Sequence, residues 1–359
     1  MYSSSSQSSF DLSALGWDDS FAALFLAHAA AGLVPARVVR VDRGRCDTLT
    51  ASGPVRADSA AVASPDPAQT VCTGDWAALR PGPEPELLAL LPRRSAITRA
   101  SSDRTSHQQV LAANVDTVAI AVSLAAPLNA GRIERLLALA WDSGAKPVVV
   151  LTKADVVDDL DATLTALTSL APGVDIVTTS ATTGTGLDRL SEVVTGTTVL
   201  LGPSGAGKST LANALLGREQ MDTNDIRAGD GKGRHTTVHR ELLALPGGGV
   251  LIDTPGLRGI GLHDAADGVE RVFAEIEAYA RDCAFRNCEH RSEPGCAVQE
   301  AVVAGMLEVS RLDRYRKLLR ESARAADRGN ARESNKRSKT KKVITRDLRA
   351  TYRFRDRQR

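Results

Sequence analysis

Residues 202–210 read Gly202-Pro203-Ser204-Gly205-Ala206-Gly207-Lys208-Ser209-Thr210: a glycine, four residues, then Gly-Lys-Ser. Glycines let consecutive backbone N–H groups turn inward onto phosphate oxygens, where a side chain would block the approach. Lys208 has the charge and reach for the β- and γ-phosphates of a nucleoside triphosphate, and the Ser209 hydroxyl suits Mg²⁺. The flanks agree. Thr197–Leu201 is apolar and β-branched, a buried strand, and Ser209–Leu216 reads as a helix closed by Gly217. Strand, glycine loop and helix N-terminus are the context a phosphate site needs; a glycine-rich loop without a ligand is the bland alternative.

A phosphate loop does not choose the base. That choice points to Thr152-Lys153-Ala154-Asp155, which follows the apolar run Pro147–Leu151. A carboxylate at Asp155 can accept two hydrogen bonds from guanine N1–H and N2–H₂, while the Lys153 stem packs over the base. Adenine offers no such donor pair, and a site built on one penalises the wrong base because buried polar groups stay unpaired. The alternative is that Asp155 only caps a helix. GTPases carry Asn where this chain has Thr152. An Asn braces the phosphate loop; the shorter Thr implies a weaker or different brace. Ser180-Ala181, after the strand Val174–Val177, is a second guanine-reading candidate through a backbone N–H near the Ala, and weak alone.

Asp253-Thr254-Pro255-Gly256 follows the strand Val250–Ile252. Here Asp253 can hold Mg²⁺ through water and the Gly256 N–H can touch the γ-phosphate, so the loop senses hydrolysis. Gly229–Val238, containing Gly233-Arg234-His235-Thr236-Thr237, has the composition of a switch loop, and Thr236 or Thr237 can supply a second Mg²⁺ hydroxyl. The residue after Gly256 is Leu257, where many GTPases place a Gln that orients water. Leu cannot, so His235 or a partner is expected to position the water and intrinsic turnover to be slow. Both guanine-reading stretches precede the phosphate loop, the reverse of the usual order. The same sheet with its chain cut and rejoined elsewhere, a circular permutation, accounts for this.

Cys283, Cys288, His290 and Cys296 fall within 14 residues. Three thiolates and an imidazole are the donor set of a closed structural Zn²⁺ site, with a Glu293-Pro294-Gly295 turn returning Cys296 to the others. Unmetallated buried cysteines are the alternative. The metal would fold a small helical module that buries too little apolar surface alone.

These residues need elements to position them. The chain has 359 residues, 43% hydrophobic and 25% charged, enough for two or three domains. It has no apolar run of membrane-spanning length and no secretion-signal pattern at its start, which points to a cytoplasmic protein. Residues 311–359 hold 19 Lys+Arg against 6 Asp+Glu, leaving 26 against 37 in the first 310. A basic tail on an acidic body fits a polyanionic partner, most simply nucleic acid, or else a solvated tail. The organisation expected is an N-terminal extension with a helix (1–33, with 1–10 disordered), an oligonucleotide-binding-like β-barrel (34–92), an α/β domain (93–262), a helical zinc module (263–328) and a basic tail (329–359). Barrel strands are expected at Ala36–Val41, Thr48–Thr50 and Val71-Cys72, with Pro81–Pro92 as a linker. Strands alternating with helices over 115–260 imply a mostly parallel, doubly covered sheet. Helices are expected over 267–282 and 298–320.

With permuted order and zinc spacing in hand, the chain resembles the RsgA/YjeQ family of circularly permuted GTPases over about residues 34–325. Pro92-Arg93-Arg94-Ser95, Gly233-Arg234-His235-Thr236-Thr237 and Glu293-Pro294-Gly295-Cys296-Ala297-Val298 carry the resemblance further. It implies a monomeric GTPase, using GTP with Mg²⁺ and one structural Zn²⁺, that acts in maturation of the small (30S) ribosomal subunit. It also implies hydrolysis stimulated by that subunit and contacts to 16S ribosomal RNA through barrel and zinc module. Thr152, the N-terminal extension and the long basic tail depart from the family pattern. A switch serving a protein partner, an RNA-binding protein with a vestigial nucleotide site, and an ATPase are the rival readings.

Overall fold

The computed structural model describes residues 11–100, 108–219, 221, 240–253 and 265–324. Five strands form a closed barrel: β1 (Val34–Val41), β2 (Arg45–Thr50), β3 (Gly53–Asp58), β4 (Trp76–Arg80) and β5 (Glu86–Leu90), in the order β1-β2-β3-β5-β4. Its interior is built from small residues, Ala36, Val38, Cys46, Ala57 and Ala77, closed by Leu79 and Leu87. Two expectations change here. Val71-Cys72 is not a strand, and the proline-rich stretch 81–92 is not a linker, because it holds β5. Its prolines stand outside β5, so none removes a ladder N–H from that strand.

The N-terminal extension belongs to the body. Helix α1 (Asp19–Ala30) is capped by Asp18, whose carboxylate accepts from Ser20 N and Phe21 N. Trp17, Phe21 and Phe25 gather around buried Trp76 of β4. The Arg94 guanidinium lies 3.7 Å over the Phe21 ring and donates to Asp18 at 2.6 Å. Such contacts hold a short helix that its own propensity would not.

After the barrel comes an unforeseen hairpin, β6 (Ala96–Ala100) and β7 (Gln108–Ala113). The main sheet then uses β8 (Thr117–Ser123), β9 (Lys146–Thr152), β10 (Asp175–Thr178), β11 (Thr197–Leu201), β12 (Glu241–Ala244) and β13 (Val250–Asp253). The order is β10-β9-β8-β11-β13-β12, parallel except for β12. Apolar strands bury both faces. Val118, Ile120, Val149, Leu151, Val199 and Leu201 face one core with α2 (Ala130–Asp142) and α3 (Asp161–Leu170). Ala119, Val148, Val150, Leu200 and Leu251 face the other with α4 (Leu187–Val193) and α5 (Lys208–Leu216).

The C-terminal helices are more broken than their sequence suggests. The run 267–282 divides at Phe273 into α6 (Ala266–Val272) and α7 (Ala274–Ala280). The run 298–320 divides into α8 (Ala297–Val303) and a last helix, α9, over 309–324. Phe273 is fully buried and turns inward where the helix breaks. Helix α6 lies so close to α2 that a Cβ on Gly268 would stand 2.1 Å from the Ala138 carbonyl oxygen. Arg311 of α9 locks the arrangement. Its guanidinium donates to Glu134 of α2 at 2.8 Å, to Glu275 of α7 at 2.7 Å and to the Val272 carbonyl at 2.7 Å, lying 4.3 Å from the Phe273 ring centroid. Arg314 donates to the same Glu134 carboxylate at 2.8 Å. Glu134 is fully buried, so removing it takes from Arg311 one of its two carboxylates and from Arg314 the carboxylate it pairs with inside the fold. Glu134→Ala should cost about 3–5 kcal/mol in urea unfolding, well above an exposed ion pair; a loss under about 1 kcal/mol would contradict the clamp.

Candidate functional site

The strand order locates the site. The chain runs outward from β8 through β9 to β10, then returns to place β11 on the other side of β8. Ligands of open α/β sheets lie outside the carboxyl ends of strands where the order reverses, here between β8 and β11. The loop 202–207 leaves β11 at this crevice and runs into α5. Gly202, at φ 148°, passes so close to β8 that a Cβ would meet the Ala121 carbonyl oxygen at 2.6 Å. The first loop glycine is therefore needed for closure on the neighbouring strand as well as for access to a ligand. Lys208 Nζ donates to the Gly202 and Pro203 carbonyls at 2.9 and 2.8 Å, folded back over its own loop. Ser209 and Thr210 follow in the first turn of α5.

On the other side of β8, Thr152 ends β9, and Lys153 takes a left-handed turn at φ 60°. Asp155 lies in the single 3₁₀ turn that follows. The Ala154 N–H donates to the Thr179 carbonyl at 3.0 Å, and the Ser180 hydroxyl donates to Asp155 at 2.5 Å. The two stretches expected to read guanine, distant in sequence, are thus one joined surface, with Ala181 beside it. The Thr152 hydroxyl donates to the Ala206 carbonyl at 2.8 Å, so the shorter side chain does reach the phosphate loop.

Asp253 ends β13 opposite Glu241 of β12. Burial, and then the Glu241 charge, push its carboxyl up; Lys208 pulls it down. A cation beside Asp253 would offset that penalty, as an Mg²⁺ ion carried in with a nucleotide would. His235, Thr236, Thr237, Gly256 and Leu257, together with residues 1–10 and the tail, lie outside the described residues. Sequence reasoning missed Glu241, because cross-strand register leaves no local signal. It also missed Arg37, a buried guanidinium of the barrel that donates to Thr197, the first residue of β11, at 2.8 Å. Burial lowers Arg37 to about 10.

In the helical module the donor atoms of Cys283, Cys288, His290 and Cys296 all lie within 4.8 Å of one another. Cys283 Sγ and Cys296 Sγ stand 3.9 Å apart, and each is 3.6 or 3.5 Å from His290 Nδ1. Metal–sulfur bonds of about 2.3 Å and metal–nitrogen bonds near 2.0 Å span such edges tetrahedrally. The turn is built for this. The Glu293 carboxylate is held down to about 2 by its own backbone N–H first, then by the N–H groups of Glu289, Arg291 and Ser292, from which it accepts at 2.9, 2.7 and 3.0 Å. Gln299 donates to the His290 carbonyl, fixing a residue with positive φ.

A phosphate loop at the switch point of this sheet, the stretches expected to read the base before it in the chain, a barrel on one side and a Cys₃His helical module on the other define a circularly permuted P-loop GTPase. Comparison with known proteins gives the family. The RsgA GTPase model matches residues 90–263. The small ribosomal subunit biogenesis GTPase RsgA of Streptomyces coelicolor is 58% identical over 339 residues, 92% of each chain. The Streptomyces avermitilis protein of that name is 55% identical over 332 residues, 91% of this chain and 90% of its own. This chain belongs to the RsgA family of GTPases. The crystal structure of YjeQ from Thermotoga maritima superposes with a TM-score of 0.61 at 26% identity, over 81% of this chain and 99% of that one. YloQ, described as a circularly permuted GTPase, shares the fold at 22% identity, with a TM-score of 0.58 over 81% of this chain and 95% of its own.

Removing divalent metal with a chelator at neutral pH should raise amide exchange through 283–303 while the β8–β11 core stays protected. Unchanged exchange in the module would count against a metal there.

Proposed function

We propose that this chain hydrolyses GTP as a step in small ribosomal subunit maturation, docking on the 30S particle and its 16S ribosomal RNA. The observation that carries the reading is the junction of the two half-sites. Asp155, oriented by Ser180, and the Lys208 loop flank one crevice. A guanine read at the Asp155 end leaves its phosphates over 202–208. In this reading Gly202–Gly207 supply backbone N–H groups, and Lys208 leaves its carbonyls for the β- and γ-oxygens. Lys153 and Ala154 border the base, with Ala181 offering its N–H. Ser209, Asp253 and either Thr236 or Thr237 would hold Mg²⁺, which when bound would neutralise charge on the phosphoryl oxygens. The Gly256 N–H meets the γ-phosphate, and His235 or the ribosomal particle places the attacking water, since Leu257 has no polar atom for it. Water attacks phosphorus in line and the β–γ bridging oxygen leaves with GDP. The thiolate-rich donor set of the module suits one Zn²⁺, closed to water and structural.

Family membership and the relatives' function support the ribosomal role. The basic C-terminal stretch and the barrel architecture support an RNA partner. No described helix is long and apolar enough to cross a membrane. A cytoplasmic monomer that meets the particle transiently fits these features.

The test is phosphate release from GTP and from ATP, each with and without 30S subunits. GTP alone should turn over slowly, 30S subunits should accelerate it, and ATP should not be used. Lys208→Ala should lower stimulated turnover about 10²–10³-fold. Binding to 30S should weaken steeply with salt if RNA phosphates are the contact. Salt-insensitive binding would favour a protein partner, and no stimulation would refute the ribosomal reading.

A further inference from the structure

We infer that Arg316 is the counter-ion of the Cys₃His centre: its guanidinium offsets the negative charge that the centre gains with a divalent metal, and so helps to retain that metal. The inference rests on the metal reading of the module and gives a part in it to a residue outside the four donors.

Arg316 lies on α9, four residues after Leu312 and three before Leu319, so the three share one helix face. Leu312, Tyr315 and Leu319 belong to the core that takes in Cys283, Cys288 and Cys296. The Tyr315 ring centroid is 6.4 Å from that of His290. The Arg316 side chain is 21% exposed, and its Nε and Nη2 are fully buried with no acceptor among the described residues. Its hydrogen bond runs instead from Nη1 to Asp313 at 3.4 Å, on a carboxylate that is 65% exposed. Such a surface pair contributes little. Buried donors are ordinarily paired, and a charged one left without an acceptor is costly.

The carboxylates near His290 are engaged elsewhere. Glu277 accepts from the Tyr315 hydroxyl at 2.6 Å, and Glu293 accepts from the backbone of its own turn. The Arg316 charge does bear on the donor cluster. Burial first, and then Arg316, push the His290 imidazole below its ordinary range, against the pull of Glu277 and Glu293. Neutral thiols give a guanidinium nothing to offset. Three thiolates and a neutral imidazole around a divalent ion carry one net negative charge, spread over sulfur. Cys296 and His290 are buried, so water screens that charge poorly. A cation on the adjoining helix face therefore favours the metal-bound form over the metal-free one, and groups outside the ligand set commonly act on a metal in this way. An apolar residue at 316 would fill the same space and supply no charge.

The test is metal retention by the full-length protein. Protein loaded with Zn²⁺, or with Co²⁺ as a coloured probe, is titrated with a competing chelator. Thiolate-to-Co²⁺ absorption reports the donor set, and GDP titration reports the distant nucleotide site. Arg316→Met should weaken retention of both ions about 10–100-fold. Its absorption per bound Co²⁺ and its GDP affinity should stay as in the wild type, because the four donors and the sheet are untouched. Arg316→Lys, which keeps the charge, should retain metal to within about threefold of the wild type. Asp313→Asn should leave retention unchanged, since that exposed pair is not what acts on the metal. Wild-type retention in Arg316→Met would overturn the inference. So would a Lys variant as weak as the Met one, or an Asp313→Asn variant that lost metal to the same extent. If Arg316→Met does not fold, Arg316→Gln replaces it with the same expected loss, and wild-type retention in that variant is equally fatal. A wild-type protein that held neither ion would instead overturn the metal reading itself.

Discussion

Everything in the active region follows from three parallel neighbours, β9, β8 and β11, ending at one edge of the sheet. Adjacent strands lie about 4.8 Å apart, so the ends of β9 and β11 are roughly 10 Å from each other across β8. That is the scale of a nucleotide between its base and its phosphates. The sheet fixes the spacing through backbone hydrogen bonds, and the loops decorate it. Chain order has no part in this, which is why the segments can be visited as β8, β9, β10, β11 and still form one crevice. Strand adjacency, and not succession, is the conserved quantity of such a permutation.

The flanking modules are attached to that sheet by buried guanidinium contacts as well as by apolar faces. On one side Arg37 of the barrel reaches Thr197 at the base of the strand that delivers the phosphate loop. Within the barrel region, the Arg93 guanidinium, paired to buried Asp75 at 2.6 Å, also satisfies the carbonyls of Ala68 and Thr70. On the other side Arg311 and Arg314 converge on Glu134. Isolated buried ions are costly, so these pairs specify one docking geometry more than they add stability. Helix α6 begins soon after the Asp253–Gly256 stretch and is pinned between α2 and Arg311.

Much of this was legible in the sequence, for identifiable reasons. The phosphate loop, its strand and its helix carry short-range signals: glycine spacing, a β-branched run, a C-terminal glycine. The four metal donors sit within 14 residues, so their convergence needs only one turn. The sheet strands read clearly because burial on both faces makes them continuously apolar. The barrel was harder. Strands β3, β4 and β5 are short and rich in Ala, Pro and Gly, and β5 hides among prolines that look like a linker. Phe273 breaks a helix that periodicity would continue, because burying its ring against Arg311 and Tyr315 outweighs one more helical turn. Glu134 and Arg311 are 177 positions apart, and their pairing leaves no pattern a reader could find.

The central claim is that Asp155 and Lys208 serve the two ends of one guanosine triphosphate. The most direct measurement is nucleotide selectivity of Asp155→Asn, with binding of GTP and xanthosine triphosphate compared in parallel. The amide can donate where the carboxylate accepted, so the variant should lose GTP and gain the xanthosine nucleotide, with phosphate-dependent binding through Lys208 intact. Retained tight selection of GTP by that variant would contradict the account.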